Sequence, residues 1–184
     1  WLVAVWMIAN CKKGISSYEI GREIGVTQKT AWFMLHRIRL AMQTGTFANF
    51  FGQVEADETF IGGLARNMHK NKRKENIVGG GPVGKTIVMG LLERGKKKAS
   101  KVKTMVVPNT GGETLQRRVR WHVEPGSEVF TDANRSYDGL KFDYAHKIID
   151  HAEAYVKGNV HTNGIENFWS LLKRTLRGTY VSVE

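Results

Sequence analysis

Eight residues, Val54-Glu55-Ala56-Asp57-Glu58-Thr59-Phe60-Ile61, constrain this chain more than any other stretch. They alternate and end β-branched, which marks a strand. Successive strand residues point to opposite faces, so Glu55 and Asp57 share a face with Thr59 and Ile61, and Glu58 looks the other way. A carboxylate aimed at a core is costly unless a cation meets it. Two cations qualify: a divalent metal with Asp57 as its first protein ligand, or a Lys or Arg side chain paired at the strand.

At 184 residues and 41% hydrophobic content the chain has enough material for one medium domain, or a domain with a small appendage, and is too apolar for global disorder. The net charge of +11 and pI near 9.9 point to a polyanionic partner, nucleic acid first and anionic membrane second. Cys11 is the lone cysteine, so an internal disulfide and a cysteine-based zinc site are excluded and a reducing cytoplasm is expected. The apolar run Trp1–Ala9 is too short for a membrane span and lacks a signal peptide's basic start and cleavage site. It is expected to begin a buried helix. A first residue other than Met and an unterminated end suggest a piece of a longer protein.

Ser16 and Glu19 have capping-box spacing at the start of a helix bearing Ile20 and Ile24. Gly25-Val26 breaks that helix, and Thr27 can cap another running to about Met42, with Ala31, Met34, Leu35 and Ile38 on its apolar side. Helix, short glycine turn and helix predict a helix-turn-helix module over 1–48. In that reading Thr27, Gln28, Lys29 and Thr30, at the start of the second helix, face DNA bases and phosphates. A plain helical hairpin packed on the following domain is the other reading. Thr44–Gly52 reads as a connector.

Between Gly62 and Lys103 stand 12 Lys or Arg against two Glu, a local +10. Asn67–Asn76 is almost without apolar residues and reads as a basic loop, either with Lys72, Arg73 and Lys74 set to hold phosphate backbone or simply solvated and kept soluble by its charge. Gly79-Gly80-Gly81-Pro82-Val83-Gly84-Lys85-Thr86 spells a nucleotide-binding loop. That loop works only where a helix N-terminus follows the lysine. Thr86-Ile87-Val88-Met89 is β-branched and reads as a strand, so no nucleotide is expected. Lys101–Val107 supplies a third strand, completing an antiparallel meander.

A helix is expected from Gly112 to Trp121 and a strand from Glu128 to Asp132, with Asp132 at its C-terminal end, where open α/β sheets place ligands. A short helix (Asn134–Leu140) and a strand (Tyr144–Ile149) follow, then loop residues Asp150, His151 and Glu153. The last helix, about Thr162–Arg177, buries Ile165, Phe168, Leu172 and Leu176. Asn163, Glu166, Ser170, Lys173 and Arg177 fall on another face. Seven residues turn a helix by about 700°, so Glu166 and Lys173 point nearly the same way.

Asp57 on the first strand, Asp132 ending the fourth and Glu166 on the last helix, with 33 residues between the latter two, resemble the acid set of ribonuclease-H-like DDE transposases and integrases. The strings Glu55-Ala56-Asp57-Glu58-Thr59, Phe130-Thr131-Asp132-Ala133 and His161-Thr162-Asn163-Gly164-Ile165-Glu166-Asn167-Phe168-Trp169 are similar to those of a bacterial insertion-sequence group, the ISXO2-like transposases. Leu171-Leu172-Lys173-Arg174 and Gly178-Thr179-Tyr180 extend the likeness. Members carry a zinc ribbon, a helix-turn-helix and a catalytic domain. The ribbon is not in this sequence, in keeping with a missing N-terminal part.

The resemblance implies an α/β ribonuclease-H-like mixed sheet, three antiparallel strands plus two parallel, over 49–184. It implies Asp57, Asp132 and Glu166 as catalytic residues and as ligands of two Mg²⁺ ions, for which Mn²⁺ can substitute, roughly 3.5–4 Å apart. Some relatives have Asn as third ligand. Asn163 and Glu166 share a helical face, and Glu166 is preferred because an anionic oxygen holds Mg²⁺ better than an amide oxygen. Asn163 would then position DNA or support the site, with Lys173 and Arg174 on phosphates. The implied activity is cleavage at transposon ends and transfer of the 3′-OH into target DNA. The implied partner is double-stranded DNA, bound by a homodimer or larger assembly near the bacterial nucleoid in the cytoplasm. A ribonuclease-H-like nuclease without joining, and a non-catalytic helix-turn-helix DNA-binding protein, are the alternatives.

Overall fold

A computed structural model describes residues 1–43, 49–62, 84–95, 99–149 and 161–180. The chain divides into two compact units, Trp1–Ala48 with Phe168–Glu184, and Asn49–Asn167.

The first unit contains the N-terminal helices α1 (Leu2–Asn10), α2 (Ser17–Ile24) and α3 (Gln28–Gln43). The Ser16–Glu19 capping box forms: Ser16 Oγ accepts from Glu19 N at 3.1 Å, and Glu19 Oε2 accepts from Ser16 N at 3.3 Å. Gly25, at φ +70°, ends α2 in the left-handed region that glycine adopts without strain. Two residues on, Thr27 Oγ1 accepts from Thr30 N at 3.2 Å and starts α3. Ala4, Ile15, Ile20, Ala31, Met34, Leu35 and Ile38 form the core of this module. Each large aliphatic side chain buried there contributes about 1.5–3 kcal/mol. Farther along the chain, the Thr179 hydroxyl donates to Lys13 O at 2.6 Å and the Arg39 guanidinium lies 4.8 Å from the Tyr180 ring centre.

The opening run corrects one expectation. It is helical, but only Ala4 of α1 is buried, while Leu2 and Trp6 are 86% and 66% exposed. The run is apolar around its whole circumference. Within the small core of this unit it contributes only Ala4, with Met7 and Ile8 packed alongside.

The second unit is built on a five-stranded sheet of order β3-β2-β1-β4-β5, where β1 is Gln53–Ile61, β2 Thr86–Glu93, β3 Lys101–Val107, β4 Glu128–Asp132 and β5 Ala145–Ile149. The first three strands run antiparallel; β4 and β5 run parallel to β1. Helix α4 (Gly112–His122) joins β3 to β4, and a 3₁₀ run, Arg135–Phe142, joins β4 to β5. This is the expected mixed α/β sheet of a ribonuclease-H-like domain. One face carries the core: Val54 and Ala56 of β1 meet Met89, Leu91, Leu115, Val119, Tyr137 and Leu140. The last helix, α5 (Asn163–Thr175), is followed by a π-helical turn through Tyr180.

Thr86, the last letter of the nucleotide-loop spelling, opens β2 and not a helix. Residues 79–83, the basic residues Lys72, Arg73 and Lys74, the connector residues 44–48, and Asp150, His151 and Glu153 lie outside the described residues.

Candidate active site

β1 sits at the seam where the sheet changes sense, antiparallel to β2 and parallel to β4. Its register with β4 pairs Gln53 with Glu128 and Glu55 with Phe130. Carried two residues further, the same offset sets Asp57 level with Asp132 on the neighbouring strand. Period-two alternation puts both on one face, the face that also carries Glu55 and Phe130. Both acids are half-buried. Asp132 Oδ1 accepts the backbone N–H of Asn134 at 3.1 Å, which fixes the turn after β4.

Glu55, one pleat before Asp57, is almost wholly enclosed, at 1% exposure. Three residues meet its carboxylate. Arg94, just past β2, donates from Nε to Oε1 at 2.7 Å. Ile165, in the first turn of α5, donates its backbone N–H to Oε2 at 2.8 Å. Gly164 brings its Cα so near that a Cβ there would stand 2.8 Å from Oε2. The first intrahelical bond of α5 runs from Glu166 N to Thr162 O, so the Ile165 N–H belongs to the set a helix leaves unpaired at its start. A side chain 110 positions away thus does the work of a local cap, with a charge that suits the positive helix end.

Arg94 continues the clamp. Its Nη2 donates to His161 O at 2.5 Å and contacts His161 Nδ1 at 2.9 Å, and its guanidinium lies over the Phe130 ring at 4.3 Å. Arginine only donates, so Nδ1 is the acceptor in this contact. Glu166 lies one residue beyond the gripped amide. It is half-buried, and its Oε1 accepts from the Thr162 hydroxyl at 2.7 Å.

On the opposite face Glu58 meets neutral partners. Its Oε2 accepts from the Tyr137 hydroxyl at 2.6 Å and its Oε1 from Asn134 Nδ2 at 2.7 Å. Burial pushes the Glu58 carboxyl above its ordinary range, and the nearby Asp132 charge adds to the rise against two hydrogen bonds that lower it. Tyr137 is fully buried, and its hydroxyl is raised well above the ordinary tyrosine value by burial first, then by Glu58, Asp57 and Asp132. Both aspartates therefore act on one phenol from neighbouring strands.

The structure thus brings Asp57 and Asp132 side by side and seats Glu166 at the start of a helix held against the same strand. Among the described residues no three His, Cys, Asp or Glu side chains are grouped closely enough to hold a metal. The pair itself offers what Mg²⁺ or Mn²⁺ takes, hard anionic oxygens on one face of a rigid sheet. Of the expected DNA contacts, Thr27, Lys29 and Thr30 are exposed at the start of α3, whereas Gln28 is half-buried and donates to Ser17 Oγ at 2.9 Å. Asn163 is exposed, Lys173 half-buried, and exposed Arg174 leans back on Ser170 of its own helix. No helix among the described residues is long and apolar enough to cross a membrane.

The sequence reading missed Arg94, counted there only as one of many basic residues, and the partners Tyr137 and Asn134. The signal for Arg94 lay in the parity of β1, which put Glu55 on a covered face and so required a cation.

Residues 50–184 match the family model of the ISXO2-like transposase domain. Over 78 residues the chain is 42% identical to an uncharacterized transposase-like protein of Haemophilus influenzae, a stretch covering 42% of this chain and 63% of that protein. The chain therefore spans less than two thirds of that relative's length. No solved structure matches.

Proposed function

The chain belongs to the ISXO2-like transposase family, and from that premise we propose that it cleaves DNA at the ends of an insertion sequence and joins the freed 3′-OH to target DNA. The observation that carries the reading is the level placement of Asp57 and Asp132 on adjacent strands of one sheet face. Asp57, Asp132 and Glu166 would hold two Mg²⁺ ions, or Mn²⁺ in their place. When bound there, the ions supply Lewis-acid chemistry, activating water or a 3′-OH for attack and steadying the leaving oxygen.

The residues of the chain have three tasks in this scheme. The two aspartates present fixed anionic oxygens from a sheet that does not have to reorganise. Glu166 closes the set from the helix. Module 1–48, through Thr27, Gln28, Lys29 and Thr30, holds double-stranded DNA, and Lys72, Arg73, Lys74, Asn163, Lys173 and Arg174 of 49–184 hold phosphates near the cut. A homodimer or larger assembly would pair two ends, in the bacterial cytoplasm near the nucleoid.

A plasmid-joining assay with pre-cleaved end DNA tests this. Wild type with Mg²⁺ should give joined products. Asp57→Asn and Asp132→Asn should lower joining by about 10²- to 10³-fold, as loss of charge stabilisation at a reacting centre does, while end binding in a gel shift persists. Cleavage without joined products would favour the nuclease reading. Joining undiminished in both variants would refute the site.

A further inference from the structure

We infer that Glu55 and Arg94 are positioning residues that set the third acid of the site. The inference rests on the proposed role of Glu166 and deepens it. Glu166 stands on the first turn of α5, and a helix start is otherwise free to fray or swing. Here the turn is fixed at one point by a strand residue: the Ile165 N–H is held by Glu55 at 2.8 Å, two positions along β1 from Asp57.

Two further contacts keep Glu55 from serving any other purpose. Arg94 neutralises its second oxygen at 2.7 Å, and the same guanidinium holds His161 O and covers Phe130, two residues before Asp132 on β4. The chain therefore runs Asp57–Glu55–Ile165–Glu166 on one side and Asp132–Phe130–Arg94–Glu55 on the other. At 1% exposure and against the Gly164 Cα, Glu55 has no open side through which it could itself approach a substrate. Its effect passes through the element it grips. The glycine at 164 is required by this arrangement, because any side chain there would push the carboxylate away from the amide.

Mn²⁺ affinity of the DNA-free chain, titrated and followed by electron paramagnetic resonance of the free ion, gives the test. The proteins are wild type, Glu55→Gln, Glu166→Gln and the double variant. Glu55→Gln keeps an acceptor oxygen for Ile165 but loses the charge facing Arg94. Supporting groups behind metal ligands typically change affinity by about 10- to 100-fold. Glu55→Gln should weaken Mn²⁺ binding by that order, Glu166→Gln likewise, and the double variant should bind no more weakly than Glu166→Gln alone. Hydrogen exchange adds a metal-free readout: the Ile165 amide should be protected in wild type and exchange about 10-fold faster in Glu55→Gln, the loss expected when a charge-assisted hydrogen bond is replaced by a neutral one about half as strong.

Wild-type Mn²⁺ affinity in folded Glu55→Gln, or fully multiplicative losses in the double variant, would overturn the inference and leave the role of Glu166 standing. Unchanged affinity in Glu166→Gln would instead remove Glu166 from the ligand set, and the positioning role with it. If Glu55→Gln does not fold, Gly164→Ala disturbs the same contact from the helix side. Weakened Mn²⁺ binding in it supports the inference and wild-type binding overturns it.

Discussion

Glu55 and Glu58 are the same residue type three positions apart on one strand, and they live by different chemistry. Glu55 faces α5 and is ionically paired with Arg94 and capped onto a helix. Glu58 faces the core side, accepts from the neutral donors Tyr137 and Asn134, and has its carboxyl pushed upward by burial. The pleat alone separates them. What a buried carboxylate does is decided by which face receives a cation, so composition says little where parity says much.

The strongest way to break the comparison is Arg94→Ala. It strands an enclosed carboxylate, and unfolding in urea should show a loss of about 3–5 kcal/mol. A loss under about 1 kcal/mol would mean that Glu55 is no more dependent on a cation than Glu58. Gly164→Ala attacks the same face by volume and should cost about 1–3 kcal/mol, since the added carbon meets a carboxylate that is itself pinned. On the other face, Tyr137→Phe removes a hydroxyl that Glu58 accepts and should cost about 1 kcal/mol by the same urea measurement. A penalty as large as that of Arg94→Ala would erase the contrast.

A control away from both carboxylates should give the smallest effect. His122 is held below the ordinary histidine range by burial first, then by Lys103 and Arg118. Lys103 Nζ lies 3.1 Å from its Nδ1. A folded value below the unfolded 6.5 means the folded state binds fewer protons. The contribution is complete above pH about 6.5 and is lost as pH falls through the folded value. Thermal unfolding of wild type against His122→Gln should therefore show wild type losing ground below pH about 6.5. Parallel pH curves would contradict the assignment.

Much of this molecule was legible from local rules. The Ser16–Glu19 box, the turn at Gly25 and the cap at Thr27 act within a few residues, so spacing revealed them. The five strands followed from alternation, and the antiparallel sense of the first three from turn chemistry; the parallel sense of β4 and β5 came only with the family resemblance. Three features were not legible. Glu55 finds Arg94 39 positions away and Ile165 110 away, and Glu58 finds Tyr137 79 away, distances over which no sequence periodicity operates. The exposure of α1 was hidden for a related reason: an apolar run specifies a wish to be covered, not the presence of a cover.

The grip of Glu55 on α5 carries a consequence for the proposed function. The bare amide end of a helix is a natural berth for a phosphate. In this chain that berth already holds an anion of the protein's own making, and a phosphodiester arriving there would meet repulsion. Under the proposed function, the negative charge of nucleic acid is met elsewhere, by the polar and basic side chains and the divalent ions of that proposal, and the amide of Ile165 is left to serve as a bracket.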